Sequence, residues 1–532
     1  MDTQQLDAAI LGGGLAGLTL ALHLKQKLPA LQITVLERSR LPYPEATHKV
    51  GESTVELASH YFSEVLGLKE HLKQHQLRKL GLRLFFKSEN NDKIELRPEL
   101  GANKHLSVPT YQIDRGRFEN HLVDEALKIG VQIITQAKVT DVETLPQDGA
   151  HVITYEHAGA KLKVSTRWVI DATGRAAVLK RRYKLQEPSE HDSNAVWFRI
   201  KGQVNIDDWS NEPSWRAGHD GIYSRWYSTN HLTGKGYWVW LIPLASGYTS
   251  IGVVTDPKTH PLSHFRSFED TLAWMQIHEP QCAMILAPLA NHVADFMAIK
   301  HYAHKCSRVL SSDRWAITGD AGIFIDPLYS PGSDFIAIQN SFIVDVISRD
   351  MASELFIGRC ELYNEIYMKL SEGVLKSFHA QYSLLGNARI MPFKIIWDYT
   401  IYWAFFAFIG VNQRFTDIRS LKAIEDAVTR IYSQNEEIQR VFREQDELDQ
   451  APVPPGFLDI SRIPFLMELS RSLTIRYDDA SFLPALKDNF VLIEEIYKEL
   501  QTLVTMRECT WSSLEDLTQI LAQIIPCHSK AA

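Results

Sequence analysis

Six residues, Gly12-Gly13-Gly14-Leu15-Ala16-Gly17, constrain the fold of this chain more than any others. They form a GxGxxG placed between Ala8 to Leu11, an apolar run that reads as a strand, and Leu15 to Lys27, which reads as a helix. Each glycine has a separate reason to be there. Gly12 permits a tight turn, Gly14 lets a pyrophosphate approach the backbone, and Gly17 lets the helix pack against its strand. The helix start, with Leu15 and Ala16 in its first turn, offers free amides and the positive dipole end to phosphates. Gln32 to Leu36 reads as the next strand, and Glu37 closes it twenty residues after Gly17, where an acid holds a ribose hydroxyl; Arg38 follows. The expectation is a βαβ unit that binds a dinucleotide.

Composition removes other classes. The 532 residues are 45% apolar and 23% charged, enough for two or three domains with sizeable cores. A net charge of −8 without a sustained basic stripe argues against a nucleic-acid partner. The five cysteines, Cys282, Cys306, Cys360, Cys509 and Cys527, are odd in number and lack CxxC spacing, so reduced structural thiols are expected rather than a disulfide frame or a metal site. The start of the chain lacks a signal-peptide pattern, and together these readings favour a cytoplasmic location. The most apolar window, Tyr399 to Val411, has 13 residues against the roughly 20 that a spanning helix needs. A buried helix is the simplest reading of it; a greasy substrate tunnel and a membrane-surface patch are the others.

Short apolar strands continue at Val131 to Thr135, Val152 to Tyr155 and Trp168 to Asp171. From about Ser193 to Thr255 the pattern becomes strands separated by Gly, Asn, Asp and Pro, which suggests an antiparallel sheet. Beyond Gln339 the chain reads as helical, with a long charged segment from Ser420 to Asp449 ended by a Pro-rich break.

Further motifs identify the dinucleotide. Asp171-Ala172-Thr173-Gly174-Arg175 and Gly319-Asp320-Ala321-Gly322 each follow an apolar strand, and both resemble segments by which flavoprotein monooxygenases close their fold around FAD. The run Tyr111 to Glu119 resembles a third such segment. No second GxGxxG for a nicotinamide nucleotide is present. Trp238-Val239-Trp240-Leu241-Ile242-Pro243 places Trp238, Trp240 and Ile242 on one face of a strand. A buried aromatic sheet would account for the tryptophans alone, but WxWxIP is the signature of flavin-dependent halogenases. Gly51-Glu52-Ser53-Thr54 and then Lys79-Leu80-Gly81 before Leu84-Phe85-Phe86 resemble two more segments of that family. The chain is thus similar to flavin-dependent halogenases through its first 340 or so residues, closer to the phenol and carrier-protein type than to the tryptophan type.

The resemblance implies an α/β fold in three parts. A Rossmann-like FAD-binding domain takes residues 1–190 and 300–345, and an antiparallel-sheet substrate domain takes 191–299 with strands near 80–110. A helical C-terminal region takes 346–532. It implies FAD as cofactor, used reduced, with dioxygen and a halide ion as cosubstrates and a separate NAD(P)H-dependent flavin reductase as partner. Gly12, Gly14, Leu15, Ala16, Gly17, Glu37, Arg38, Ser53, Arg115, Val139, Asp320 and Gly332 are the implied cofactor contacts. Trp238, Trp240 and Pro243 are the implied wall of the active site. Lys79 is implied as the catalytic lysine, positioning hypohalous acid or forming a haloamine with it. The implied substrate is an electron-rich phenol or pyrrole, free or tethered to a carrier protein, in secondary metabolism.

One loop departs from the pattern. After Asp326-Pro327-Leu328, family members of the phenol and carrier-protein kind usually show two small hydroxyl residues and a glycine that help hold halide. Here the loop reads Tyr329-Ser330-Pro331-Gly332-Ser333-Asp334. Pro331 removes one amide donor, and Asp334 adds an unfavourable charge if it faces the pocket. Ser330, Gly332 and Ser333 remain as halide candidates. Tyr329 stands where tryptophan halogenases carry a glutamate. Two other readings stay open here: a flavin monooxygenase that hydroxylates an aromatic or lipid-like substrate, and a catalytically silent flavin-binding protein.

Overall fold

The computed structural model describes residues 5–45, 49–145, 149–217, 224–506 and 511–524. The strand Gln5–Leu11 sits inside a parallel sheet, flanked by Ile33–Leu36 on one side and Ala160–Asp171 on the other. Ala8 to Leu11 are fully buried, as expected of a strand covered on both faces. Gln132–Ile134 and Trp315–Ile317 extend the sheet in parallel at its two sides. Lys138–Glu143 and His151–His157 add an antiparallel meander onto Ala160–Asp171. The helix Leu15–Lys27 follows the glycine motif with the bounds its periodicity gives.

The second sheet has eight strands. Val293–Ile299, Asn194–Lys201, Tyr248–Thr255, Tyr237–Pro243 and Thr229–Gly234 run antiparallel in that order. The sheet then continues through Leu82–Phe85 and Pro98–Gly101, and it is not wholly antiparallel. Leu82–Phe85 pairs in parallel with Thr229–Gly234, and Gly456–Asp459 pairs in parallel with Pro98–Gly101. That last strand belongs to the part of the chain expected to be helical. Pro454 and Pro455 favour extended chain before it, and its Leu458 buries fully against the sheet edge. The two faces of Tyr237–Pro243 divide as the period-two reading requires. Trp238, Trp240 and Ile242 enter the main core, while Tyr237, Val239 and Leu241 enter a second core under the helices Phe268–His278 and Pro280–Leu286.

The C-terminal region is built from long helices, Gly332–Met351, Ile357–Lys376, Glu425–Leu448 and Phe482–Thr505 among them. The segment read as a buried helix is one: Met391–Ile401 continues through a π-helical turn, Tyr402–Ala407, into Phe408–Val411. No helix among the described residues is long and apolar enough to cross a membrane. Cys282, Cys306 and Cys360 are buried free thiols; Cys509 and Cys527 lie outside the described residues.

Candidate active site

The glycine motif forms a tight, one-sided cradle. Gly12 has φ +104°, and a Cβ there would lie 2.4 Å from the Ala172 carbonyl oxygen. A Cβ on Gly17 would lie 2.0 Å from the Gly12 carbonyl oxygen, so the helix approaches the turn too closely for any side chain. Gly14 differs. A Cβ on it would meet nothing nearer than the Lys49 ammonium at 4.0 Å, so the backbone there opens onto free space. No side chain caps the helix, and its first amides face that space. This is the geometry a pyrophosphate requires, and the residues present fit FAD.

Glu37 stands at the edge of the cradle, where its carboxylate accepts hydrogen bonds from the Gly13 amide at 2.6 Å and the Ser39 amide at 2.7 Å. Each oxygen keeps a lone pair for a ribose hydroxyl. Arg38 is exposed, and Val139 is half-buried on the Lys138–Glu143 strand. The Gly319-Asp320 turn packs directly on the motif, since a Cβ on Gly319 would be 2.9 Å from that of Ala16. Asp320 makes no hydrogen bond to a described residue. Burial raises its pKa, opposed by Arg115 and Arg175. Asp171, by contrast, is consumed in its own turn, accepting from the Thr173 hydroxyl and the Leu179 amide.

The segment Lys49 to Thr54 lies beside this cradle and is held from several sides. Arg115 donates to the Val50 carbonyl. Arg199 donates to Glu52 at 2.8 Å, to Asp295 at 2.8 Å and to the Lys49 carbonyl, with its side chain 1% exposed. Burial raises the Glu52 pKa, and Arg199 is the main opposing influence. The sequence does not single out Arg199, because an arginine inside the apolar strand Asn194–Lys201 carries no signal of its own.

Lys79 ends the strand Leu77–Lys79 and is 3% exposed. Its ammonium donates to the Ser53 hydroxyl at 2.9 Å and the Thr54 carbonyl at 2.8 Å, tying it to the Gly51–Thr54 segment. Burial lowers its pKa to about 8, with Glu56 and then Asp334 opposing the shift. All three line one cavity of about 110 Å³. Asp334 therefore does face the pocket, but its charge is restrained. Its carboxyl accepts from the Ala58 amide and the Tyr402 hydroxyl, both at 2.8 Å, and burial raises its pKa to about 7. Glu56 is raised by burial too, against its own amide, Lys79 and the Trp403 indole. Glu56 has no motif around it, and only the fold brings it to Lys79.

The remaining expected site residues fall elsewhere. Pro331 lines the cavity, whereas Ser330, Gly332 and Ser333 are not in its wall. Gly332 opens the helix Gly332–Met351 with free space where a Cβ would be. Trp238, Trp240 and Pro243 do not line the cavity either. The Trp238 indole donates to the Tyr382 hydroxyl at 3.1 Å, and Trp240 lies over Gly252 and donates to the Ser250 hydroxyl at 3.2 Å. They bury behind the site because their one-sided face is also the face that packs on the main core. The Tyr382 hydroxyl donates to Asp326 at 2.6 Å, which also accepts from Tyr302 and pairs with His191 at 2.7 Å. This network fixes the start of the Tyr329–Asp334 loop. The apolar segment Tyr399 to Val411 is a buried helix that supplies Tyr399, Tyr402, Trp403 and Phe406 to the cavity wall.

Comparison with known proteins agrees with the cradle. Residues 5–243 match a family model described as an FAD binding domain. The chain is 27% identical over 448 residues to the flavin-dependent halogenase chlA of Dictyostelium discoideum, covering 77% of this chain and 72% of that one. It is 24% identical over 347 residues to the 1H-pyrrole-2-carbonyl-[peptidyl-carrier protein] chlorinase of Pseudomonas fluorescens, covering 62% and 73%. Among solved structures, halogenase PltM superposes with a TM-score of 0.63 at 15% identity, covering 93% of this chain and 99% of that one. FAD is accordingly the cofactor, and the chain is similar to flavin-dependent halogenases over most of its length.

Proposed function

We propose that this protein halogenates an electron-rich aromatic ring, a phenol or pyrrole, free or carrier-bound, with Lys79 as the catalytic residue. The observation that carries the reading is the Lys79 ammonium, buried in the wall of the cavity and hydrogen-bonded to Ser53 and Thr54. When bound and reduced by a separate NAD(P)H-dependent reductase, FAD would supply hypohalous acid from dioxygen and a halide ion. Gly12, Gly14 and Gly17 shape the pyrophosphate cradle, Glu37 meets the ribose, and Asp320 meets the flavin side chain. Ser330, Gly332 and Ser333 hold the halide at the start of the Gly332–Met351 helix. The partial protonation of Asp334 near neutrality limits its repulsion of that anion.

Lys79 has two of its three N–H bonds committed to the Ser53–Thr54 backbone and hydroxyl, which leaves one donor for hypohalous acid. Donation to the hypohalous oxygen draws electrons from the oxygen–halogen bond. The ring carbon attacks the halogen, that bond breaks, and the departing hydroxide takes a proton to become water. Glu56 and Asp334 stand beside the same cavity to accept the ring proton. The apolar wall keeps bulk water from consuming the oxidant. The three free, buried cysteines are consistent with a reducing compartment, and the cytoplasm is the proposed location.

The test offers purified protein FAD, a flavin reductase, NADH and oxygen with phenols and pyrroles, in chloride, bromide and halide-free buffer. Halogenated product that requires halide is expected. Oxygenated product indifferent to halide would replace this reading with a hydroxylase.

A further inference from the structure

Trp238, Trp240 and Ile242 stay out of the cavity wall, yet hydrogen bonds run from their face of the sheet to it on two sides. Across the strands, Ile242 lies opposite Ser250, Ser250 opposite Arg199, and Arg199 opposite Asp295, so this row shares the face of the tryptophans. Gly252 makes room for the Trp240 ring, since a Cβ there would lie 2.2 Å from it, and the indole N–H donates to the Ser250 hydroxyl at 3.2 Å. Ser250 in turn hydrogen-bonds the Glu52 carboxylate that Arg199 grips. Glu52 directly precedes Ser53 and Thr54, the two acceptors that hold Lys79.

The second line leaves from Trp238. Its indole donates to the Tyr382 hydroxyl at 3.1 Å, and Tyr382 donates to one oxygen of Asp326 at 2.6 Å. The other Asp326 oxygen accepts from the Leu328 amide at 2.9 Å. Asp326 thereby sets how the chain enters the loop that gives the cavity Tyr329, Pro331 and Asp334. Core packing alone does not call for such bonds. Trp197 lies on the same face, opposite Gly252 on its other side, and its buried indole N–H has no partner among the described residues.

We infer that Trp238 and Trp240 are positioning residues that act through their indole N–H groups on opposite sides of the Lys79 pocket. Trp240 holds the Gly51–Thr54 segment through Ser250 and Glu52, and Trp238 holds the Tyr329–Asp334 loop through Tyr382 and Asp326. The two lines share no residue, so they act independently. The part of the loop in halide binding rests on the halogenase reading, whereas the part of the Gly51–Thr54 segment beside FAD does not.

The experiment measures, on the full-length protein, the Kd for FAD by fluorescence titration and the Kd for bromide from the absorption spectrum of bound FAD. Trp240→Phe should weaken FAD about fivefold and Trp238→Phe should weaken bromide about fivefold, since each strands a buried acceptor while keeping an aromatic ring in the core. Ser250→Ala and Tyr382→Phe cut the same lines at their second members and should give the same losses, so they decide if a tryptophan variant does not fold. Within one line the double variant should lose little more than either single one, whereas Trp238→Phe combined with Trp240→Phe should show both losses in full. Tryptophans that only pack would lower Tm and leave both constants within about twofold of the wild type, which overturns the inference. Full additivity of Trp240→Phe with Ser250→Ala, or of Trp238→Phe with Tyr382→Phe, overturns it as well. A wild type blind to bromide counts against the halogenase reading instead, and the Trp240–Ser250 pair, read by FAD alone, then decides.

Discussion

Replacing Arg199 with leucine tests how the segment beside the cofactor is held. The guanidinium reaches Glu52 through two N–H groups at 3.0 and 2.8 Å, and it reaches Asp295 at 2.8 Å. It also donates to the Lys49 carbonyl. Arg199→Leu leaves two carboxylates buried without their cation, a loss of about 3–5 kcal/mol. Glu52 limits the loss by taking up a proton, since burial already favours its neutral form. At about 2.1 cal/mol/K per residue over 532 residues, the unfolding entropy is about 1.1 kcal/mol/K, so Tm should fall by about 3–5 °C. Because the Lys49–Thr54 segment loses its anchors, FAD affinity should fall about tenfold or more, read by flavin fluorescence titration. Arg199→Lys keeps the charge but not the fork, and it should lie between the two. A Tm within about 1 °C of the wild type with unchanged FAD affinity would refute the assignment of this ion group as the anchor.

Two further outcomes separate cofactor binding from folding and assign the pH response. Gly14→Val should weaken FAD binding while leaving the apo-protein's Tm nearly unchanged, whereas Gly17→Val, whose Cβ would sit 2.0 Å from the Gly12 carbonyl oxygen, should fail in both; thermal melts with and without FAD distinguish them. For Asp334, the carboxyl rises from an ordinary 3.8 to about 7 on folding, so its stabilising contribution is full below pH 3.8 and is lost as pH rises through 7. Asp334→Asn should therefore gain on the wild type between pH 4 and 8, by up to about 4 kcal/mol, in melts recorded across that range. A difference that does not change with pH would remove Asp334 as the titrating group.

The parts of this protein that sequence exposes are those with local causes. The glycine turn, the following helix and the buried parallel strands are each specified by neighbours a few residues away, and the structure places them with nearly the bounds that periodicity gives. WxWxIP also declares its strand and its two faces, but a face that is apolar reads the same whether it lines a cavity or packs a core. That ambiguity is why Trp238 and Trp240 emerge behind the cavity rather than in its wall. The cavity itself was the least legible feature. Glu56, Asp334, Tyr402 and Trp403 meet at Lys79 only because the Gly332–Met351 helix and the π turn dock against the helix Glu56–His60. No spacing in the chain announces that encounter. Likewise Arg199 and Glu52 are 147 positions apart, and nothing near either one identifies the other.

The central claim is that Lys79 delivers halogen to an aromatic ring, acting after the flavin has done its part. The most direct measurement is mass spectrometry of the products of wild type and Lys79→Ala, side by side with FAD, a flavin reductase, NADH, oxygen, phenols and pyrroles in bromide buffer. The account predicts a brominated product from the wild type that vanishes in halide-free buffer, and none from Lys79→Ala even though that variant binds FAD normally. Brominated product formed equally well by Lys79→Ala would contradict it.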